Sequence, residues 1–206
     1  MNHDRTAHEK TRRLTALALL TALVVVLQTV ASGIRIGPIP ISLTLVPIVI
    51  GAILYGRIAG AYLGFVFGVV TLAAGMTGAD GFTFMLFSAS PFWTAVTCLA
   101  KGALCGYVPA VVYRGLTNCG KRRMTAGCVC ASLLAPLVNT GVFALAMLTV
   151  LRGSLDSFAA SQGTADAVWF LFMTMIGTNF LVELGINAVL STVVTRVVQT
   201  IGTLFS

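Results

Sequence analysis

Long uncharged apolar stretches alternate along this sequence with short segments that contain Gly, Pro or charged residues. Leu14–Ser32 and Met124–Leu151 reach the roughly 18–20 apolar residues that a helix needs to cross about 30 Å of hydrocarbon. The pattern therefore predicts an all-α membrane protein, a six-transmembrane-helix bundle. The predicted helices lie at approximately residues 13–32, 41–55, 57–76, 83–113, 123–151 and 166–200.

The second and third predicted helices are short and are joined by Gly56 and Arg57 alone. Pro47 lies inside the second, so we expect these helices to be tilted or partly kinked. The Gly- and Pro-rich segment 33–40 cannot continue a helix and predicts an extended or looping connection. We expect residues 13–206 to form a single integral-membrane domain after a tail of residues 1–12.

Composition supports the membrane prediction, because 57% of the 206 residues are hydrophobic and only 9% are charged. Soluble domains have about 25% charged residues. The net charge of +7 could indicate nucleic acid, but the basic residues flank apolar runs rather than forming one face. The positive-inside rule explains this placement better, so we expect membrane lipid around the chain and no nucleic-acid partner.

The same basic residues predict the orientation. With both termini in the cytoplasm (N-in/C-in), only Arg35 and Arg152 fall in outer loops. Ten basic residues then lie on the cytoplasmic side: Arg5, Lys10, Arg12, Arg13, Arg57, Arg114, Lys121, Arg122, Arg123 and Arg196. We therefore expect a multi-pass protein of a prokaryotic plasma membrane. Its outer loops, 33–40, 77–82 and a mobile 152–165, could form a lid or could simply join helices.

Small residues recur at helical spacing in two places. Gly56, Gly60, Gly64 and Gly68 form a ridge without side chains along the third predicted helix, which favours close packing against a neighbouring helix. The step from Ala18 to Ala22 makes a flat patch on the cytoplasmic half of the first helix. An external helix could dock there, although such a step also occurs within ordinary bundles.

Polar side chains inside predicted spans are few, and their cost in lipid predicts that they face the bundle interior. Asn139 and Asn179, with help from Glu183, could form a polar pocket lined by Phe82, Phe84, Phe92 and Trp93. Small-ligand sites usually combine such apolar walls with a few convergent polar groups. Alternatively, Lys101 pairs with Glu183 and the amides bind backbone groups freed by prolines. The polar residues are Lys101, Asn139, Asn179, Glu183 and Asn187.

No catalytic signature accompanies these residues, so we do not expect an enzyme. The spans hold no histidine, and the sequence contains no HExxH, GxSxG or Walker A motif. Cys128 and Cys130 form a C-x-C step without further ligands, and we expect neither a metal site nor a cofactor. The chain also has no nucleotide-binding motif, so any transport driven by ATP needs a partner.

In their order along the chain, these segments resemble a substrate-binding S component of an energy-coupling factor (ECF) vitamin transporter. The resemblance covers about residues 12–200. It is carried by the basic start with Leu14–Ala22, the segment Ile41–Gly56, the Gly-rich third span, Pro136–Phe143 and Asn179–Asn187.

The resemblance implies a six-helix bundle that captures a vitamin or vitamin precursor near the outer face. It also implies assembly with a transmembrane coupling subunit and two cytoplasmic ATPases, followed by toppling of the S component to release substrate inside. Ala18 and Ala22 would then contact the coupling subunit. Candidate substrate-binding residues are Asn139, Asn179, Glu183, Lys101, Trp93, Phe82 and Arg35.

The substrate stays open at this stage. An anion with amide and hydroxyl groups suits Asn139, Asn179 and Lys101, which favours pantothenate, while riboflavin, folate or another precursor remain alternatives. A stand-alone carrier or channel is the competing hypothesis. Six spans without an evident inverted repeat or a series of charges along a pore disfavour it.

Overall fold

The computed structural model describes the backbone of residues 2–31, 35–36, 39–40, 43–117, 124–164 and 166–204. Side chains are described for residues 10–30, 43–117, 124–164, 166–174, 176–177 and 180–200. The helices are α1 Asn2–Ala31, α2 Leu45–Tyr55, α3 Arg57–Met76, α4 Gly81–Ala89, α5 Pro91–Thr117, α6 Met124–Leu148, α7 Arg152–Ser161, α8 Ala167–Phe170 and α9 Thr178–Leu204, with a π-helical segment Leu171–Gly177 before α9.

Within the described ranges, five helices are long and apolar enough to cross a membrane, namely α1, α3, α5, α6 and α9. The predicted span 41–55 corresponds to the shorter α2, whose 11 residues rise only about 16 Å. Pro47 lies in the first turn of α2, where a missing N–H disrupts no helical bond. Most α2 side chains are buried, so this helix is surrounded by protein.

The prediction of one continuous helix over 83–113 is wrong. Ser90 has φ −150° and ψ 77°, which ends α4, and Pro91 begins α5. A residue before proline avoids the helical region, and proline fits the first helical position well, so this break follows from local chemistry. The break lets α4 and α5 take different directions from the end of α3.

The segment 152–165, predicted as a mobile loop, is also mostly helical, because α7 occupies Arg152–Ser161. Leu155 and Ala159 of α7 are buried, so one apolar face of a short helix packs onto the bundle. The connection 33–40 contains the predicted extended backbone, with Arg35 and Ile36 paired antiparallel to Pro40 and Ile39. The last predicted span is interrupted by the π-helical turn Leu171–Gly177.

The α3 and α5 helices form the closest contact in the bundle, and glycine makes it possible. A Cβ atom added to Gly64 would overlap the carbonyl oxygen of Gly102, and one added to Gly106 would overlap that of Gly60. The two backbones therefore touch along the predicted glycine ridge. By contrast, α1 packs on α2 and α3 at the edge of the bundle, and few of its side chains are buried.

Two apolar clusters make up the core of the described residues. One surrounds α2 and includes Val24, Ile48 and Phe67. The other lies where α4, α7, α8 and the π-helical segment meet the end of α6, and includes Phe82 and Leu151. The candidate site lies between the two clusters.

Candidate substrate-binding site

A cavity separates the two apolar clusters, and side chains of α1, α3, α4, α5, α6, α9 and the π-helical segment line it. The cavity volume is about 50 Å³. The apolar lining is Phe67, Phe82, Leu86, Cys98, Phe143, Leu151, Ile176 and Phe180. The polar lining is Gln28, Thr71, Asp80, Thr83, Thr94, Thr97, Lys101, Asn139, Thr140 and Glu183.

Asn139 contributes a hydrogen-bonding group that the fold itself leaves unused. Its side chain is 7% exposed, and Oδ1 is shielded from solvent without a hydrogen-bond partner among the described residues. A buried acceptor without a partner costs about 1–3 kcal/mol. Asn139 lines the cavity, so a bound molecule with a donor group could satisfy this acceptor.

Lys101 lies in the cavity with its ammonium over two aromatic rings. Nζ is 6.0 Å from the ring centroid of Phe67 and 5.6 Å from that of Phe143. Both distances are within the range of a cation–π contact. Lys101 thus brings a positive charge to the cavity, whose lining also includes the carboxylates of Asp80 and Glu183.

Glu183 is 2% exposed and lines the same cavity as Lys101. The two side chains therefore border one cavity, and the expected Lys101–Glu183 pair stays a prediction. The backbone carbonyl of Glu183 accepts a hydrogen bond of 2.8 Å from Nδ2 of Asn187, one turn further along α9.

Asp80 forms one end of the cavity and organises the start of α4. Its carboxylate accepts hydrogen bonds from the backbone N–H of Phe82 and from the hydroxyl of Thr83, as an N-cap residue does. The side chain is 2% exposed. The cap fixes Phe82, whose ring packs edge to face against Phe143 at 6.0 Å and against Phe158 at 5.8 Å.

Gln28 connects the edge helix α1 to the cavity. Its Oε1 accepts a hydrogen bond of 2.8 Å from Thr44, and its Nε2 donates one of 3.2 Å to Thr71. Gln28 is 4% exposed. The hydroxyl of Thr71 in turn donates a hydrogen bond to the carbonyl oxygen of Phe67. Three segments of the chain are joined by this buried network at the cavity wall.

Other predicted site residues lie elsewhere or outside the described side chains. Trp93 is 44% exposed, stacks edge to face on Phe92 at 5.3 Å and does not line the cavity. Phe84 and Phe92 are also exposed. The backbone of Arg35 lies in the short strand Arg35–Ile36 and that of Asn179 in the first turn of α9, but neither side chain is among those described.

Comparison with known proteins identifies the family of the chain. A sequence profile described as ECF transporter, substrate-specific component, matches residues 12–195. The chain belongs to this family. It is a component of a transport system, as its members are, and a multi-pass membrane protein.

One curated relative of this S component is the pantothenic acid transporter PanT of Lactococcus lactis subsp. cremoris (strain MG1363). The two sequences are 28% identical over 190 residues, which cover 86% of this chain and 89% of the relative. No solved structure matches the chain significantly.

The predicted docking residues of the S component, Ala18 and Ala22, are exposed on α1. Their neighbours Leu14 and Val26 are 68% and 57% exposed, so this part of the helix presents an apolar face with a shallow strip of small side chains. Such a strip permits the close approach of another helix.

Sequence reasoning missed Gln28, Asp80 and Thr94 as cavity residues. Asp80 had a signal, because an acidic residue directly before an apolar helix is a typical N-cap. Gln28 also had one, since an amide within an apolar span should face the interior. Thr94 had none, because threonine occurs on every face of a membrane helix. Its hydroxyl usually donates a hydrogen bond to a backbone carbonyl of the same helix.

Proposed function

We propose that this S component is the high-affinity binding subunit of an ECF-type importer and that its substrate is pantothenate. The substrate binds in the cavity lined by Asn139 and Lys101 and is delivered inward together with a transmembrane coupling subunit and two cytoplasmic ATPases. The relative named a pantothenic acid transporter supports this substrate.

The unpartnered Oδ1 of Asn139 carries the proposal. Pantothenate offers an amide N–H and two hydroxyl groups as donors, any of which can satisfy this acceptor. Its carboxylate complements the ammonium of Lys101, and its gem-dimethyl group suits the rings of Phe67, Phe82 and Phe143. Apolar walls with a few fixed polar groups are the usual composition of small-molecule sites.

Binding of pantothenate to the purified subunit tests the proposal, with riboflavin and folate as competitors. Asn139→Ala should weaken binding by about 1–3 kcal/mol, or about 5- to 150-fold, because a buried hydrogen bond to the ligand is lost. Ser132→Ala is the matched control. Its hydroxyl is also buried without a partner on α6, but Ser132 does not line the cavity.

Isothermal titration calorimetry measures the three affinities. The substrate and the site are both supported if the parent and Ser132→Ala bind pantothenate equally well and Asn139→Ala binds it more weakly. If the parent binds riboflavin or folate instead, the substrate is wrong. Equal affinity of Asn139→Ala and the parent would place the site elsewhere, with the outer segments around Arg35 as the next candidates.

The orientation and the partners form the second half of the proposal. With both termini inside, α7 faces the outside, and a cysteine at the exposed Ser157 should react with a membrane-impermeant reagent in intact cells. Reaction only after permeabilisation would reverse the topology. Uptake should also be lost when the coupling subunit or the ATPases are deleted, whereas a stand-alone carrier would retain it.

A further inference from the structure

The hydroxyl of Thr94 does not form the hydrogen bond that many described threonines in the helices of this chain form. The usual pattern is a hydrogen bond to the carbonyl four residues earlier, as Thr21 forms to Leu17 at 2.7 Å and Thr71 forms to Phe67 at 2.9 Å. The same bond occurs at Thr15, Thr29, Thr77, Thr117, Thr149 and Thr195. The hydroxyl of Thr94, by contrast, is shielded from solvent and has no hydrogen-bond partner among the described residues.

Thr94 lies in the first turn of α5. The residue four positions before it is Ser90, whose carbonyl accepts the backbone N–H of Thr94 at 3.0 Å but not its hydroxyl. Thr94 itself is 1% exposed and lines the cavity. Its hydroxyl is therefore a second buried polar group at this cavity that the fold leaves unused, besides Oδ1 of Asn139.

These two groups approach the cavity from different helices, Thr94 from α5 and Asn139 from α6. Lys101 lies on α5 seven residues after Thr94, so their Cα atoms are about 10 Å apart along the helix axis. The cavity thus receives a positive charge and a hydroxyl group from positions about two turns apart on α5.

We infer that Thr94 is a substrate-binding, specificity-determining residue that hydrogen-bonds the hydroxyl-bearing end of the ligand, while Lys101 holds its carboxylate. The inference rests on the proposed function and extends it to the orientation of the substrate. Its ligand class is a monocarboxylate with a hydroxyl group at the opposite end. A ligand that has the carboxylate but not the distant hydroxyl group cannot form the hydrogen bond with Thr94 and should bind more weakly.

A ligand-binding role and a structural role predict opposite effects of Thr94→Val on the ligand-free protein. A buried hydroxyl without a partner destabilises the empty protein, so its replacement by a methyl group should leave the melting temperature of the ligand-free protein equal or raise it by about 2–4 °C. Affinity for pantothenate should fall about 5- to 50-fold in the same variant. Thr94→Ser, which keeps the hydroxyl, should bind more tightly than Thr94→Val.

Two outcomes of this measurement overturn the inference. A ligand-free melting temperature below that of the parent means that Thr94 supports the fold, and unchanged affinity of Thr94→Val means that its hydroxyl does not meet the ligand. The melting temperature is measured without ligand. It therefore shows whether the Thr94 hydroxyl stabilises the fold even if the parent fails to bind pantothenate. That failure would reject the proposed function itself.

The orientation is tested with pantothenol, in which an alcohol replaces the carboxylate of pantothenate. Lys101→Gln should weaken binding of pantothenate at least about tenfold more than binding of pantothenol, since only pantothenate carries the charge. Thr94→Val should weaken binding of both ligands by the same factor. If Thr94→Val weakens pantothenate alone, Thr94 meets the carboxylate end and the inferred orientation is wrong.

Discussion

The contact between α3 and α5, called the seam below, and the edge helix α1 pack in opposite ways. Along the seam, Gly60, Gly64, Gly102 and Gly106 bring two backbones into direct contact. In α1, only 11% of the spanning window is buried, against 44% in α3. One polar residue, Gln28, accounts for the described hydrogen bonds that join the C-terminal half of α1 to the bundle.

This difference indicates that the two regions have different roles. The α3–α5 contact is a fixed wall of the bundle, whereas the exposed face of α1 is a surface that can move or be shared with a partner. The seam ends at residues that line the cavity, Thr71 on α3 and Thr94 to Lys101 on α5, so a rigid contact fixes the positions of the binding groups. The face of α1 that carries Ala18 and Ala22 contributes little to the core and is free for a partner or for lipid. Substitutions in the two regions should therefore fail in different ways.

The largest effect is expected at the seam. Gly64→Leu places a side chain where the backbone of Gly102 lies, and neither backbone can move without separating the two helices. We expect no monodisperse folded protein in detergent by size-exclusion chromatography. Gly141→Leu is the control, because nothing lies within 4 Å of a Cβ atom at that exposed position. Equal yields of the two variants would show that the seam is not essential to the fold.

The second effect should appear in transport without a change in the fold. Ala18→Trp or Ala22→Trp fills the shallow strip on α1 and should reduce uptake by more than about tenfold by blocking the approach of the coupling subunit. Affinity of the isolated subunit for pantothenate should stay unchanged. Val189→Trp adds the same bulk at a side chain that is 71% exposed on α9 and should leave uptake normal. Normal uptake by both alanine variants would remove the strip as an interface.

The sequence predicts the seam and the strip well because each depends on a local repeat of small residues. Glycines at four-residue spacing lie on one helix face whatever surrounds them, so their role follows from helix geometry alone. The break at Ser90 and Pro91 and the helix α7 were mispredicted for a related reason. Hydropathy does not distinguish one long span from two helices that meet at an angle, and a short segment rich in Ser, Gly and Ala can still be helical.

The cavity is less predictable, since it is assembled from many segments of the chain. Asn139 and Glu183 could be predicted, because an amide or carboxylate in an apolar span must face the interior. Trp93 was assigned to the pocket on its residue type alone, and the rotation of α5 instead leaves it half-exposed. Whether Lys101 pairs with Glu183 depends on side-chain geometry that spacing along two helices does not determine.

The smallest of the expected effects concerns the anchor of α1. Gln28→Leu removes the acceptor of the Thr44 hydroxyl, which is fully buried, and should lower the free energy of unfolding of the ligand-free protein by about 1–3 kcal/mol. Thr29→Val is the control, since that hydroxyl is exposed and donates within α1 to Val25. Thermal unfolding of the two variants gives the comparison.

The double variant Gln28→Leu with Thr44→Val decides whether this loss comes from the hydrogen bond between them. Removing both partners leaves no donor without an acceptor at Thr44, so the double variant should be no less stable than Gln28→Leu, and the two effects should not add. Additive losses would mean that each side chain stabilises the protein by packing on its own. In that case the hydrogen bond does not hold α1 on the bundle, and its attachment rests on apolar contacts such as that of the buried Val24.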